Sequence, residues 1–332
     1  MVKMPYSPVQ ENIKLDIKDK KILYELYKDA RQSNNAIAKK VSLSREAVDY
    51  RIKNLEKKGI IEKYITLVDN DILGYTSYNV YIALASVDEK EIDHIANILS
   101  SMPFVKWVAI CSGQWDIVLT VAARDKFHLD NMLEEIYSKF NQIKKYDILT
   151  TIKVYKDVDI IFLIPEKKHF QEEKHEKKEI KLDKEDKEIL LALAENARMN
   201  VVDISKTVKL TPEAISYRIK RLQKAKIIRG FRASINISKL GYLWCMLLCE
   251  VKNLSKEKEK DFIAFCNQNK NIFFVDKLIG KWQLRVELLA ENLFHFHSLL
   301  TQLRNALSDS LSSYELLMVF KSYKETSFLK GM

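Results

Sequence analysis

The sequence predicts an α+β protein that carries the same pair of domains twice in tandem. Residues 14–64 align with residues 181–231 at a constant offset of 167, and 24 of these 51 positions are identical. Gly113 recurs as Gly280 within a matching Gly-x-Trp motif. Solenoid repeats span about 20–50 residues, so a repeat this long indicates two complete domain pairs. Because a linked pair is pseudo-symmetric, we expect a two-fold target such as duplex DNA.

The positive charge is concentrated in two short segments. The 332-residue chain has a formal net charge of +10. Residues 14–64 carry +6 and residues 181–231 carry +5, whereas residues 65–164 carry −5. Such concentration is typical of polyanion binding. The alternative is that the positive charge only keeps the protein soluble, but this does not explain why residues 65–164 are acidic.

Several other classes of protein are disfavoured. No apolar run reaches membrane-spanning length and no signal peptide is recognisable, so we expect a cytoplasmic protein with no membrane partner. The four cysteines form no C-x-x-C pair, which argues against a disulfide framework or zinc site. His295 and His297 lack further ligands at metal spacing, so no metal is expected. No phosphate loop, dinucleotide motif or nucleophile constellation occurs, so we expect no catalytic residues and no cofactor.

Residues 14–64 predict three helices followed by a strand. Asp16 and Ser44 are good N-caps for the first and third helices, and Gly59 is a good C-terminal glycine for the third. The β-branched Ile60-Ile61 begins the strand. A short turn before the third helix and a strand after it predict a winged helix-turn-helix.

The second copy repeats this pattern with one difference. Asp183 caps its first helix, and Thr211 followed by Pro212 begins its third. Lys226 stands where the first copy has Gly59, so we expect this helix to end less sharply.

The rest of each copy predicts strand-helix-strand-strand-helix-strand, the ferredoxin-like βαββαβ plan. In the first copy the strands are expected near residues 77–87, 105–111, 115–123 and 147–157, and the helices near 91–101 and 126–140. Both faces of the first strand are mostly apolar, whereas the helices cover one face only. A second sheet, from the other copy or from another chain, is expected to cover the other face.

These patterns divide the chain into five segments after a loose N-terminus of 13 residues. We expect winged helix-turn-helix domains at 14–64 and 181–231, ferredoxin-like domains at 65–164 and 232–326, and a charged linker at 165–180. An extended linker of this length spans up to roughly 50 Å. It therefore permits an intramolecular pseudo-dimer but does not exclude a homo-oligomer.

The chain resembles the Lrp/AsnC family of transcription regulators. The resemblance rests on Leu15-Asp16-x-x-Asp19-x-x-Ile22-Leu23 with Ala30-Arg31, on Leu43-Ser44 through Tyr50-Arg51-Ile52-x-x-Leu55, on Gly59-Ile60-Ile61, and on Gly113-x-Trp115-Asp116. It covers nearly the whole chain, twice. It implies a sequence-specific DNA-binding regulator, with double-stranded DNA and a small-molecule effector as partners. The family usually has one copy per chain and assembles as dimers or larger rings, so the tandem form leaves the oligomeric state open.

The exposed face of each third helix supplies the candidate DNA contacts. Arginine and lysine read guanine or bind phosphate, and short polar side chains at a helix start also reach phosphate. The candidates are Ser44, Arg45, Glu46, Asp49, Tyr50 and Lys53 in the first copy, and Thr211, Glu213, Ser216, Tyr217, Lys220 and Arg221 in the second. The alternative is a solvated helix face. Because the two faces differ, we expect an imperfect palindrome with half-site centres about 10 bp apart.

Arg51 and Arg218 lie between the buried positions of these helices. We expect them to pair with Asp19 and Asp186 of the first helices rather than to touch DNA.

The family resemblance implies that the sheet domain senses a small molecule, often an amino acid, near the hairpin of Gly113, Gln114 and Asp116. Glycine allows close approach, and a carboxylate can pair with an α-ammonium group. Gln283 replaces the acid in the second copy, so a site that depends on it should survive only in the first. The alternative is that Asp116 only stabilises the hairpin and that Trp115 and Trp282 are core residues.

Two other functions remain open. Sirohaem decarboxylases of alternative haem synthesis resemble the same domain plan, although this chain shows no obvious histidine and arginine cluster for a tetrapyrrole. An architectural DNA-binding protein without an effector is the second alternative.

Overall fold

The computed structural model describes residues 13–157 and 181–328, and the predicted linker at 165–180 and almost all of the N-terminal segment lie outside these ranges. The helices are α1 (Ile17–Lys28), α2 (Asn34–Val41), α3 (Arg45–Lys57), α4 (Glu89–Ser101), α5 (Lys126–Lys139), α6 (Lys184–Glu195), α7 (Val201–Val208), α8 (Pro212–Lys224), α9 (Lys256–Gln268) and α10 (Leu293–Leu307). The strands are β1 (Ile61–Val68), β2 (Thr76–Leu84), β3 (Val105–Ser112), β4 (Ile117–Ala123), β5 (Ile143–Lys156), β6 (Ile228–Ile235), β7 (Leu243–Val251), β8 (Ile272–Ile279), β9 (Leu284–Ala290) and β10 (Leu311–Glu325). The predicted fold class, two tandem winged helix-turn-helix and ferredoxin-like units, is confirmed. No helix of the described ranges is long and apolar enough to cross a membrane.

The helix caps follow the sequence closely. Asp16, Ser44, Asp183 and Thr211 all accept a hydrogen bond from a backbone amide in the first turn of their helices. The expected loose end of α8 is wrong, because Lys226 adopts the same left-handed backbone as its counterpart. Its φ is 61° and that of the glycine is 65°. The two helices therefore end at equivalent residues.

This difference predicts opposite effects of two matched substitutions. A residue with a side chain is strained by about 1–2 kcal/mol in the left-handed backbone conformation. Glycine removes this strain, but part of the gain in stability is lost because glycine also has more conformational freedom in the unfolded chain. Lys226→Gly should therefore raise the free energy of unfolding by about 0.5–1 kcal/mol, and Gly59→Ala should lower it by a similar amount. Urea denaturation of both variants checks this, and a destabilised Lys226→Gly would contradict it.

The two helix-turn-helix units are joined into one body. Strands β1 and β6, one from each copy, pair antiparallel as a two-stranded ribbon. Arg31 of the first unit donates to the carbonyls of Ala197 and Met199 of the second, at 2.6 and 2.8 Å. The hydroxyl of Thr66 donates to the carbonyl of Leu193 at 2.6 Å. One buried apolar cluster includes residues of both units. The ribbon strands continue across residues 64 and 231, where we placed domain boundaries.

The ferredoxin-like halves close into one eight-stranded barrel with the order β10-β3-β4-β2-β5-β8-β9-β7. The closure uses two antiparallel ladders between copies, β5 with β8 and β10 with β3. The second apolar sheet face is therefore covered by the other copy of the same chain. Tyr81, Trp115 and Leu149 of the first copy pack there against Met246 and Trp282 of the second. The two tryptophans are core residues, as the structural alternative held.

Candidate functional site

Helices α3 and α8 present equivalent exposed faces. The rings of Tyr50 and Tyr217 are 72% and 69% exposed. The opposite face of α3 is buried through Val48, Ile52 and Leu55, which fixes the outward direction of Tyr50. An exposed tyrosine on each of these helices is available to contact a DNA phosphate or a thymine methyl group.

The other candidate residues on these helix faces differ in their exposure and in the contacts that they already make. Lys53 forms an ion pair with Asp49 at 2.8 Å, and Asn34 donates to the same carboxylate at 3.2 Å. The hydrogen bond from Lys53 holds the pKa of the Asp49 carboxyl below its usual value. Asp49 therefore orients a lysine besides offering an acceptor. Arg45, Glu46, Glu213 and Lys220 are exposed, Ser216 is half-buried, and the hydroxyl oxygens of Ser44 and Thr211 each accept a backbone amide at about 3.1–3.2 Å.

The arginines between the buried positions have structural partners, as expected. Arg51 contacts Asp16 and Asp19, both at 2.7 Å. Arg218 contacts Asp183 and Asp186 at 2.6 and 2.8 Å. These ion pairs fix α3 and α8 against the first helix of each unit.

Arg221 belongs to the same network. Its guanidinium forms an ion pair with Asp186, whose side chain is almost completely buried, while the arginine side chain is 45% exposed. The corresponding residue of the first copy is Asn54. The sequence predicted the pair of Arg218 with Asp186, but it did not indicate that Arg221 shares this acid.

The predicted effector hairpin is held by the protein itself. Asp116 accepts the backbone amide of Leu84 at 2.7 Å. Gln283 of the second copy accepts the equivalent amide, that of Val251, at 3.0 Å. Because an amide oxygen performs the same task, this hydrogen bond does not require a carboxylate.

The glycine and glutamine of the hairpin face the other half of the chain. A Cβ on Gly113, whose φ is 141°, would lie 2.7 Å from the carbonyl oxygen of Leu316 in β10. The Gln114 amide lies between Lys145 and Glu315, with the nitrogen 3.0 Å from the latter. The close approach predicted from the glycine is therefore made by a strand of the second copy.

A cavity of about 310 Å³ lies between the barrel and the β1–β6 ribbon. Tyr27, Glu62 and Arg232 of the helix-turn-helix units line one side. Barrel residues of both copies line the other, among them Asn79, Lys106, Thr120, Thr151, Trp107, Trp244, Asp276, Arg285 and Glu287. This volume lies at the lower end of the range for small-molecule sites.

A buried charged cluster forms the barrel side of this cavity. Arg285 donates to both oxygens of Asp276, at 3.0 and 2.7 Å, and to Asn79 at 3.2 Å. Thr151 donates to Asp276 at 3.1 Å. Burial lowers the pKa of Arg285, but the neighbouring charge of Asp276 outweighs it and raises that pKa. The arginine therefore stays charged.

Glu287 shares this arginine with Asp276 and is the more weakly paired of the two carboxylates. It accepts the indole N–H of Trp244 at 2.8 Å, and its other oxygen lies 3.6 Å from Arg285 Nε, which donates to Asp276. Burial raises the pKa of Glu287 to about 6. In the alignment of the two copies, Arg285 and Glu287 replace Val118 and Thr120, but this difference alone does not indicate that Asp276 and a cavity lie beside them.

This raised pKa predicts a pH-dependent gain from Glu287→Gln. The folded-state pKa lies above the usual value of 4.5, so the protonated group stabilises the fold below pH 4.5 and that contribution is lost as the pH rises through 6. Glu287→Gln should therefore raise the free energy of unfolding at pH 7 by about 2 kcal/mol, and the gain should vanish near pH 4.5. Denaturation at both pH values checks this, with the exposed Glu134→Gln as control. An equal gain at both values would contradict the prediction.

Comparison with known proteins agrees with these features. A winged helix-turn-helix DNA-binding model matches residues 15–62, an AsnC-type helix-turn-helix model matches residues 182–223, and the Lrp/AsnC ligand binding domain model matches residues 78–160. The chain is a member of the Lrp/AsnC family of transcription regulators, in a tandem two-copy form.

Individual relatives match about one copy. The chain is 34% identical over 133 residues to the HTH-type transcriptional regulator LrpA of Pyrococcus horikoshii, covering 40% of this chain and 92% of the relative. An uncharacterized HTH-type transcriptional regulator of Pyrococcus furiosus is 36% identical over 135 residues, covering 39% and 85%. The crystal structure of the siroheme decarboxylase NirDL shares the fold across 95% of this chain and 94% of its own, with a TM-score of 0.61 and 16% identity.

Proposed function

We propose that the protein is a sequence-specific DNA-binding regulator that reads its operator through α3 and α8 of a single chain. The main support is the pair of exposed tyrosine-bearing helices, fixed to each other by the β1–β6 ribbon and one shared core. A rigid pair of recognition helices suits two half-sites about one DNA turn apart, about 10 bp. We retain all the predicted residues as DNA contacts, and we keep the five domain segments as proposed.

The two half-sites should differ in sequence. Arg45 and Asp49 of the first face are replaced by Pro212 and Ser216 in the second. A strictly symmetric preferred operator would argue against reading by one chain. Competition with random duplex separates specific regulation from architectural binding, because an architectural protein would be displaced equally by any duplex.

We further propose an amino-acid effector at the hairpin of Gly113, Gln114 and Asp116. The support is the ligand binding domain that the family model assigns to this half. The carboxylate of Asp116 would bind the α-ammonium group through the oxygen that does not accept from Leu84.

Asp116→Asn tests this role with little disturbance of the fold, because Gln283 already holds the equivalent hydrogen bond with an amide. The variant should keep its thermal stability and lose amino-acid binding, measured by calorimetry with a panel of amino acids. Unchanged binding of an amino acid would show that Asp116 only stabilises the hairpin.

A decarboxylase function has one observation in its favour, the whole-chain fold likeness to NirDL. None of the residues that line the described cavity is a histidine. Titration with haem distinguishes the two functions, because a tetrapyrrole-binding protein would develop strong absorbance in the Soret region. We expect no such change.

A further inference from the structure

We propose that the cavity between the barrel and the β1–β6 ribbon is a binding site for a small organic cation, an amine with an apolar or aromatic body. This site is separate from the hairpin to which the amino-acid effector was assigned. It deepens the proposed function, because it rests on the ligand-sensing role of the barrel.

The first argument is the sign of the charge. Among the described residues, the cavity is lined by five carboxylates, Glu62, Asp157, Asp276, Glu287 and Glu325, and by three bases, Lys106, Arg232 and Arg285. With all of them ionised, the lining carries a formal charge of −2. The lining therefore favours a positively charged ligand.

The second argument is that both arginines of the lining are already engaged by acids, while Lys106 donates to the hydroxyl of Ser77 at 3.3 Å. Arg285 is held by both oxygens of Asp276. Arg232 lies 3.4 Å from Glu325 and 3.7 Å from Asp157. A ligand carboxylate would have to displace one of these acids before it could bind an arginine, which makes an anion a poor occupant.

The third argument is that Glu287 offers a place for the cation. One of its oxygens accepts from Trp244, and among the described residues the other has a single ion-pair partner, Arg285 Nε at 3.6 Å, which also donates to Asp276. Burying a carboxylate costs free energy unless a charge neutralises it. An ammonium group at this oxygen would supply that charge together with a strong hydrogen bond.

The fourth argument is the aromatic wall around Glu287. The rings of Trp107 and Trp244 lie 6.0 Å apart, and the ring of Phe273 lies 5.5 Å from Trp244. All three line the cavity. Aromatic faces beside a carboxylate attract a cation and also bury its hydrocarbon body.

The first copy builds the equivalent strand pair without this cluster. The equivalent positions of the first copy hold Ala109, Val118 and Thr120 in place of Asp276, Arg285 and Glu287, and their strands pair in the same register. The charged set is therefore particular to the second-copy half of the barrel.

The test measures binding directly, without DNA, so that its failure does not depend on the DNA function. The full chain is titrated with phenethylamine and hexylamine, followed by calorimetry and by intrinsic tryptophan fluorescence. The matched controls are phenylethanol and phenylacetate, which keep the ring and change the charge.

We expect phenethylamine to bind at least tenfold more tightly than both controls. Glu287→Gln should weaken this binding at least tenfold without lowering the thermal stability, and the surface variant Glu134→Gln should bind as the wild type does. Binding of phenylacetate or phenylethanol as tight as that of phenethylamine would overturn the proposal. It would also be overturned if neither amine saturated the protein at millimolar concentration, or if Glu287→Gln bound phenethylamine unchanged.

Discussion

The double variant Tyr50→Ala/Tyr217→Ala should bind the preferred operator about one hundredfold more weakly than the wild type. Each exposed ring stands on the outer face of a recognition helix, and loss of one contact there is worth about 1–2 kcal/mol. The rings pack against no core, so the free energy of unfolding should stay within about 0.5 kcal/mol of wild type. Fluorescence anisotropy with labelled duplex at fixed salt measures the affinity.

The chain provides a matched control for this variant. Phe127 and Phe294 occupy equivalent positions on α5 and α10 and are 70% and 90% exposed. Phe127→Ala/Phe294→Ala removes two exposed rings from the barrel half, and it should leave DNA affinity unchanged. Equal affinity losses in both double variants would show that the tyrosines do not mark the DNA surface.

Arg285→Val should lower the free energy of unfolding by about 3–5 kcal/mol. Its partner Asp276 is 0% exposed, and without the guanidinium its charge would be buried with one hydroxyl donor. Removing one member of a buried ion pair is far more harmful than replacing both. Thermal or urea denaturation at pH 7 measures the loss.

The first-copy half of the barrel shows which substitutions should compensate for the loss of Arg285. The triple variant Asp276→Ala/Arg285→Val/Glu287→Thr reproduces Ala109, Val118 and Thr120, and it should recover most of the stability. A single Arg285→Val variant within about 1 kcal/mol of wild type would contradict the buried cluster. A triple variant as unstable as the single one would show that the cluster is required for folding.

The sequence predicted those parts of the structure that depend on local signals. Ser44 and Thr211 could be assigned as caps because a hydroxyl before a helix satisfies an orphan amide within three residues. The sequence of β2 has apolar residues on both faces of the sheet. It therefore indicated that the face opposite the helices is also covered by protein. The repeat itself made another copy of the same sheet a natural partner.

The remaining features depend on contacts between distant segments. Nothing in the spacing of Gly113 indicated that β10 approaches it, and the glycine was therefore interpreted as a ligand contact. The network of Arg221 with Asp186 and the pair of Arg285 with Asp276 join residues whose proximity is set by packing. Lys226 shows a different limit, because the surrounding hydrogen bonds hold it in a backbone conformation that its residue type disfavours.

The central claim is that one chain acts as a complete two-fold reader of DNA. The most direct measurement is selection of bound sequences from a random duplex pool at near-physiological salt, with the purified full chain. The account predicts enrichment of an imperfect palindrome with half-site centres about 10 bp apart. Binding without enrichment, or no binding at all, would contradict it.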